Sequence, residues 1–324
     1  MARRLASSRG RSRARPRPFR HVCAIAALHL TSGHPREHGL DMSKHVIGLF
    51  GIAATGTALL VLALPAMAQA QDKPADRVVL APHRAVYDLV LDQSKPARNI
   101  EAARGRIAFD FTGDACEGYA LSFRQVTQLT TSEGGPRVVD ARTTSFEAGD
   151  GASYRFKTES STGGAGPETV DGTARKTGGG YEVDLRAPKA EIHREKSGAL
   201  FPNEQMKAVI QAARAGKTTL NVRLYDGANS GKEVYETLSV IGKRIEAKPA
   251  EGPLQKPEFE QMARWPVTIS YFKADSAEAT PSYTISFELY ENGVTGAVKL
   301  DYGSFALTGT LTRLDLLPRQ DCAK

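Results

Sequence analysis

From Gln71 onward the chain holds two histidines, His83 and His193, and two cysteines, Cys116 and Cys322. A zinc site needs several His, Cys or carboxylate ligands at characteristic spacing, and neither H-E-x-x-H nor a spaced Cys/His set occurs. No metal and no cofactor is expected. The G-x-S-x-G elbow of many serine hydrolases is absent too. His83, in Ala81-Pro82-His83-Arg84-Ala85-Val86-Tyr87-Asp88, is the best single candidate for a general base. That role requires a carboxylate or nucleophile within hydrogen-bond reach, and a hydrogen-bonded structural histidine is the commoner outcome at the start of a strand. Asp110 with Asp114, and Glu258 with Glu260, are paired acids of the kind glycosidases use. Both pairs lie near turns or a short helix, where carboxylates are ordinarily solvated. Gly227-Ala-Asn-Ser-Gly231-Lys232-Glu233 has one residue too few between its glycines, and no Ser or Thr after the lysine, to cradle a phosphate. A hairpin turn is expected there.

The 324 residues carry a formal charge of +7, but the excess is local. Residues 1–41 hold nine Arg and two acids, whereas Gln71 onward has 33 basic and 34 acidic side chains. A nucleic-acid partner needs cations spread over the folded surface, so none is expected. Residues 1–41, with Pro16 and Pro18 and no apolar periodicity, read as a leader upstream of a start at Met42. A nucleic-acid arm or transit peptide is the alternative. Met42-Ser-Lys44-His45, the uncharged run from Val46 to Leu64, and the small residues of Pro65-Ala-Met-Ala-Gln-Ala70 make residues 42–70 a cleavable secretory signal. Nineteen apolar residues could just span a bilayer, yet the run is rich in Gly, Ala and Thr and lacks a cationic stop-transfer flank. The mature chain, 71–324, is therefore expected in the periplasm as one domain without a stable membrane anchor. In that oxidising compartment a Cys116–Cys322 disulfide is the economical reading, with two free thiols or a metal pair as the alternatives.

What must position these residues is mostly strand. Short extended segments broken by Gly, Asp, Asn and Pro suggest about thirteen strands, beginning with His83–Leu91 and ending with Ser304–Leu314. Tyr283, Ile285, Phe287 and Leu289 share one face of their strand, and Asn292-Gly293 after them is suited to a tight hairpin. One helix is expected: Met206, Val209, Ile210 and Ala213 form a stripe ended by Gly216, with Asn203 as the cap. A shorter helical turn is expected over Pro257–Ala263, ahead of Trp265. So many strands with one main helix predict an all-β fold of strongly curved antiparallel sheets, or an incomplete barrel.

Several segments carry a resemblance. Leu80-Ala-Pro-His83-Arg84-Ala-Val-Tyr87, Gly113-Asp114-Ala-Cys116-Glu117-Gly118-Tyr119, Phe201-Pro202-Asn203-Glu-Gln-Met206, Arg264-Trp265-Pro266 through Tyr271-Phe272, Leu289-Tyr290-Glu-Asn292-Gly293 and Leu300-Asp301-Tyr302-Gly303-Ser-Phe305 lie in order along the mature chain. Together they resemble the periplasmic cell-envelope-integrity family called EipB. The resemblance implies a secreted, non-enzymatic protein folded as an open β-spiral around a helix, with a concave cavity and a structural disulfide that maps onto Cys116 and Cys322.

The expected function is support of envelope integrity under stress, through binding of a lipid, peptide or protein partner in the hollow of the sheet. Tyr87, Tyr119, Trp265, Tyr271 and Phe287 are candidates to line it, although core packing is the ordinary fate of buried aromatics. The rival reading is a periplasmic hydrolase of an envelope component with His83 as general base. An apolar cavity with no acid bonded to His83 favours binding.

Overall fold

The computed structural model describes residues 77–319 apart from 133, 275, 277 and 278. The expected leader, signal segment and Cys322 lie outside the described residues. Eight strands come first: β1 (His83–Leu91), β2 (Ile100–Asp114), β3 (Gly118–Thr131), β4 (Gly134–Ala148), β5 (Ser153–Thr162), β6 (Glu168–Thr177), β7 (Gly180–Ala187) and β8 (Glu191–Glu195). Helix α1 (Pro202–Arg214) turns the chain back. After it come β9 (Thr219–Leu224), β10 (Tyr235–Ile241), the short α2 (Pro257–Glu260), β11 (Arg264–Lys273), β12 (Tyr283–Tyr290), β13 (Thr295–Asp301) and β14 (Ala306–Leu316).

All of these strands belong to one sheet in the order β8-β7-β6-β5-β4-β3-β2-β1-β14-β13-β12-β11-β10-β9. Every neighbouring pair is antiparallel. Each arm is a run of hairpins between sequence neighbours, and the one long-range pairing joins β1 to β14 in the middle. The sheet is open, with β8 and β9 as its edges, so a single sheet does the work for which the sequence suggests several. Strands of the two arms nonetheless face each other: Phe123 of β3 and Phe287 of β12 wall the same cavity, together with Met206 of α1. The sheet curls around the helix.

Burial follows the period of two that a strand imposes. In β1, His83, Ala85, Tyr87 and Leu89 are buried while Arg84 and Val90 are exposed. The outward positions carry opposite charges in register: Arg84 lies opposite Asp110 and Asp88 opposite Arg106, with N–O distances of 2.9 and 2.7 Å. Such exposed pairs contribute about 0.2–1 kcal/mol each, and they oppose a one-residue slip that would turn the apolar face outward.

Two differences from the sequence reading have simple causes. Strand β8 escapes notice because Glu191-Ile-His-Arg-Glu195 is highly charged and leaves Ile192 exposed; backbone pairing with β7 alone defines it. The N-cap of α1 is Phe201, not Asn203. A phenyl ring accepts no N–H, so the orphan donors of the first turn are met by carboxylates: Glu204 accepts from Phe201 N, and Glu147 of β4 accepts from Asn203 N and Glu204 N at 2.7 and 3.0 Å. The helix then buries Val209 and Ile210 completely. Phe201 itself stacks on Tyr154 at 5.5 Å, inside an aromatic cluster with Phe156, Tyr181 and Tyr225 that ties β5 and β7 to the chain around α1. Among the described residues no helix is long and apolar enough to cross a membrane.

Candidate functional site

Two chambers open beside the first turn of α1. The larger, about 130 Å³, is walled by β1, β2 and β3 on one side and by β12 and β13 on the other. Its lining is mostly Phe109, Phe111, Phe123, Phe287, Leu121 and further aliphatics, with the uncharged polar residues His83, Tyr87, Asn203, Asn292 and Thr295, and among the described residues no Asp, Glu, Lys or Arg contributes to it. The smaller, about 60 Å³, shares Leu121, Pro202, Asn203, Met206, Ile285 and Phe287 with it and continues toward Tyr154, Tyr271 and Tyr283. Alternation in the strands explains why these residues point inward, and the curl of the sheet explains why residues far apart in sequence meet.

Of the aromatics singled out in the sequence, Tyr87 and Phe287 line the larger chamber, and Phe287 and Tyr271 the smaller. Tyr87 donates its hydroxyl hydrogen to Thr295 O at 2.8 Å. Tyr119 stands behind the wall instead, stacked on Phe111 at 4.9 Å and bonded to Leu80 O. Trp265 is packed into the core on β11. Both of these are core residues because a strand places alternate side chains toward whatever lies beneath it, and only the stretch over the hollow meets empty space. Phe109, Phe123, Met206 and Asn292 complete the larger wall; no sequence signal separates them from other inward-facing residues.

His83 is 4 % exposed and sits in the wall of the larger chamber. Its Nδ1 contacts Ala81 O at 2.7 Å, and its ring stacks on Phe109 at 5.1 Å. Burial holds it below the ordinary histidine value, against the opposing pull of the Ala81 carbonyl and Asp110. A relay would need Nδ1 on a carboxylate, and Nδ1 is occupied by a backbone carbonyl. Asp110 bonds Arg84 instead.

The paired acids are also separated by their elements. Asp110 and Asp114 are four residues apart on β2, roughly 13 Å at 3.3 Å per residue, beyond the span of either glycosidase geometry. Asp114 accepts the N–H groups of Cys116 and Glu117, which closes the β2–β3 turn. Glu258 and Glu260 are two apart on α2, a spacing that does not share a helix face. Ser270 and Lys273 have S-x-x-K spacing, but on β11 they point to opposite faces; Ser270 bonds Thr284 and Lys273 pairs with Glu233. Gly227–Lys232 joins β9 to β10, and Asp226 caps it by accepting Ala228 N at 2.9 Å. His193 is on edge strand β8, far along the sheet from His83. Among the described residues no group of three or more His, Cys, Asp or Glu is placed to hold a metal.

The smaller chamber contains what the sequence does not advertise: two buried carboxyls. Glu147, 2 % exposed, is pushed up to about 7 by burial, with the Asn203 N–H pulling the other way. Asp226, 6 % exposed, is likewise raised to about 7 by burial. They are 79 residues apart and come together only through the curl of the sheet.

Comparison with known proteins gives a consistent result. The family model described as EipB-like matches residues 74–318. The chain is 37 % identical over 243 residues to the cell envelope integrity protein EipB of Brucella abortus (strain 2308), covering 75 % of this chain and 86 % of that one. It is also similar to the crystal structure of a β-barrel-like protein of a domain of unknown function, DUF1849, from Brucella abortus. The TM-score is 0.69 at 36 % identity, over 75 % of this chain and all of the other.

Proposed function

Since the chain belongs to the EipB-like family, we propose that it is an exported, non-catalytic protein that supports cell envelope integrity by holding the apolar part of a lipid, peptide or protein partner within its curled sheet. The observation that carries this reading is the larger chamber: a hollow of about 130 Å³ lined mostly by aromatic and aliphatic side chains and, among the described residues, without a charged group. An apolar group seated there would give those lining side chains further van der Waals contacts, which supports the reading. Export is supported by the signal-like segment 42–70, and the family match begins just beyond it, at residue 74. Catalysis finds no support in the surroundings of His83, whose Nδ1 is engaged by a backbone carbonyl.

The test is to fill the hollow without breaking the sheet. Leu121 lines both chambers and is only half-buried, so Leu121→Trp has room for its larger ring. The variant is expected to keep its melting temperature within a few degrees, because extra volume is destabilising only where space is already filled. It is also expected to fail to restore envelope integrity in a strain lacking the protein. Full rescue by a stably folded Leu121→Trp protein would show that the hollow has no part in the function.

A further inference from the structure

The polar atoms of the larger chamber describe its ligand more closely than its apolar walls do. His83 and Asn292 are both about nineteen-twentieths buried, at 4 % and 5 % exposure, and both belong to the wall. Each has one hydrogen-bonding atom already committed. The Nδ1 of His83 lies 2.7 Å from Ala81 O, and an acceptor there requires that Nδ1 carry the proton. In the neutral ring, Nε2 is then an acceptor. The Oδ1 of Asn292 accepts Val294 N at 3.1 Å, which fixes the orientation of the amide and leaves its NH₂ as a donor. Neither His83 Nε2 nor Asn292 Nδ2 has a hydrogen-bond partner among the described residues.

The two groups are held to the same short segment. Ala81 N donates to Asn292 O at 2.8 Å, and Ala81 O receives His83 Nδ1. One backbone residue thus braces an acceptor and a donor at one end of an apolar hollow. The remaining polar residues of the wall are Tyr87 and Thr295, which are bonded to each other, and Asn203, which is partly exposed at the start of α1. With no cation among the described wall residues to meet a carboxylate or phosphate and no anion to meet an amine, a charged group in this chamber would pay its desolvation without compensation.

We propose that the larger chamber recognises an uncharged, hydroxyl-bearing apolar group, the hydroxyl donating to His83 Nε2 and accepting from Asn292 Nδ2. The inference rests on the ligand-holding function proposed above and adds the chemistry of what is held. The volume is close to that of the engineered ~150 Å³ apolar cavity that takes up benzene, so the body of the group is about the size of one aromatic ring or a short aliphatic chain.

Three probes of nearly equal size separate the possibilities: p-cresol, toluene and benzoate, titrated into the purified protein and followed by amide chemical shifts of the residues around the chamber. p-Cresol is expected to bind about five-fold more tightly than toluene, corresponding to ~1 kcal/mol for one well-made hydrogen bond, and benzoate is expected not to bind. His83→Phe keeps an aromatic ring against Phe109 and is expected to erase the preference while retaining toluene. Retention of toluene by that variant also reports that the chamber is intact. Asn292→Asp keeps the turn's acceptor for Val294 N, removes the donor, and is expected to weaken p-cresol. Equal affinity of wild-type protein for p-cresol and toluene, or binding of benzoate, would overturn the hydroxyl assignment while leaving ligand holding in place. Failure of all three probes to bind at millimolar concentration would overturn both.

Discussion

Cys116→Ser is expected to lower the melting temperature of protein purified from an oxidising compartment by roughly 10 °C, and reduction of the wild-type protein is expected to do the same. The physical basis is the register at the centre of the sheet. His83 of β1 lies opposite Phe111 of β2 on one side and Leu316 of β14 on the other. The turn carrying Cys116 and the outgoing C-terminal segment therefore leave the sheet at the same end. Leu317 N still bonds Pro82 O there. Two inter-strand steps make about 10 Å, and the five residues from Leu317 to Cys322 can extend over roughly 17 Å, so the proposed bridge is within reach. It would close a loop of about 206 residues, for which the chain-entropy estimate is about 5 kcal/mol before native strain is subtracted. For a domain of this size each kcal/mol moves the melting temperature by about 2–4 °C. Cys322→Ser should match Cys116→Ser, and the double replacement should add nothing further. Two titratable thiols in the denatured, unreduced mature protein would dismiss the bridge.

The second large effect concerns pH. Stability is expected to fall as pH rises from about 4.5 to 7 on account of Glu147 and Asp226, and to level off above that. Both carboxyls hold their proton more tightly in the folded chain, at about 7, than in the unfolded chain, near 4. Their contribution is complete below the unfolded value and is lost as pH climbs through the folded one. Each is nearly fully buried, and the displacements correspond to about 3 kcal/mol for Glu147 and about 4 kcal/mol for Asp226. His83 acts in the opposite sense: its folded value is lowered, so stability tied to it is lost as pH falls through that folded value. Around Glu147 the Glu204 carboxylate raises and the Lys207 ammonium lowers the proton affinity.

Because these slopes overlap, the decisive measurement compares variants. Urea unfolding at pH 5 and pH 8 should show a smaller pH difference for Glu147→Gln and for Asp226→Asn than for the wild type. Glu147→Ala should lose about 3 kcal/mol at pH 5, since it strips the acceptor from two N–H groups at the start of α1. An unchanged pH difference in both isosteric variants would show that neither carboxyl titrates in this window.

Much of the architecture is legible in the residues. The alternation of Tyr283, Ile285, Phe287 and Leu289 reappears as buried positions of β12, and Asn292-Gly293 forms the turn into β13 with Gly293 at φ +85°. The stripe of Val209, Ile210 and Ala213 is the buried face of α1. These are local consequences of chain geometry, set by a period of two or of 3.6. The capping of α1 was not legible, because its acceptor lies on β4, 56 residues before Asn203. Nor was the separation of Tyr87 and Phe287 from Tyr119 and Trp265: all four are aromatic and inward-facing, and only the position of the hollow sorts them.

The sequence by itself determined the family, the all-β class, individual turns such as Asn292-Gly293 and the single main helix, since these follow from local propensity, turn chemistry and short-range motifs. The tertiary structure alone decided that one open sheet curls around α1, and that His83 and Asn292 flank Ala81 at the end of an uncharged hollow. It alone brought Glu147 and Asp226 to one small chamber. Those outcomes depend on which distant strands end up facing each other. That choice is made by the total apolar area buried when the two arms close on the helix, a quantity no stretch of neighbouring residues contains.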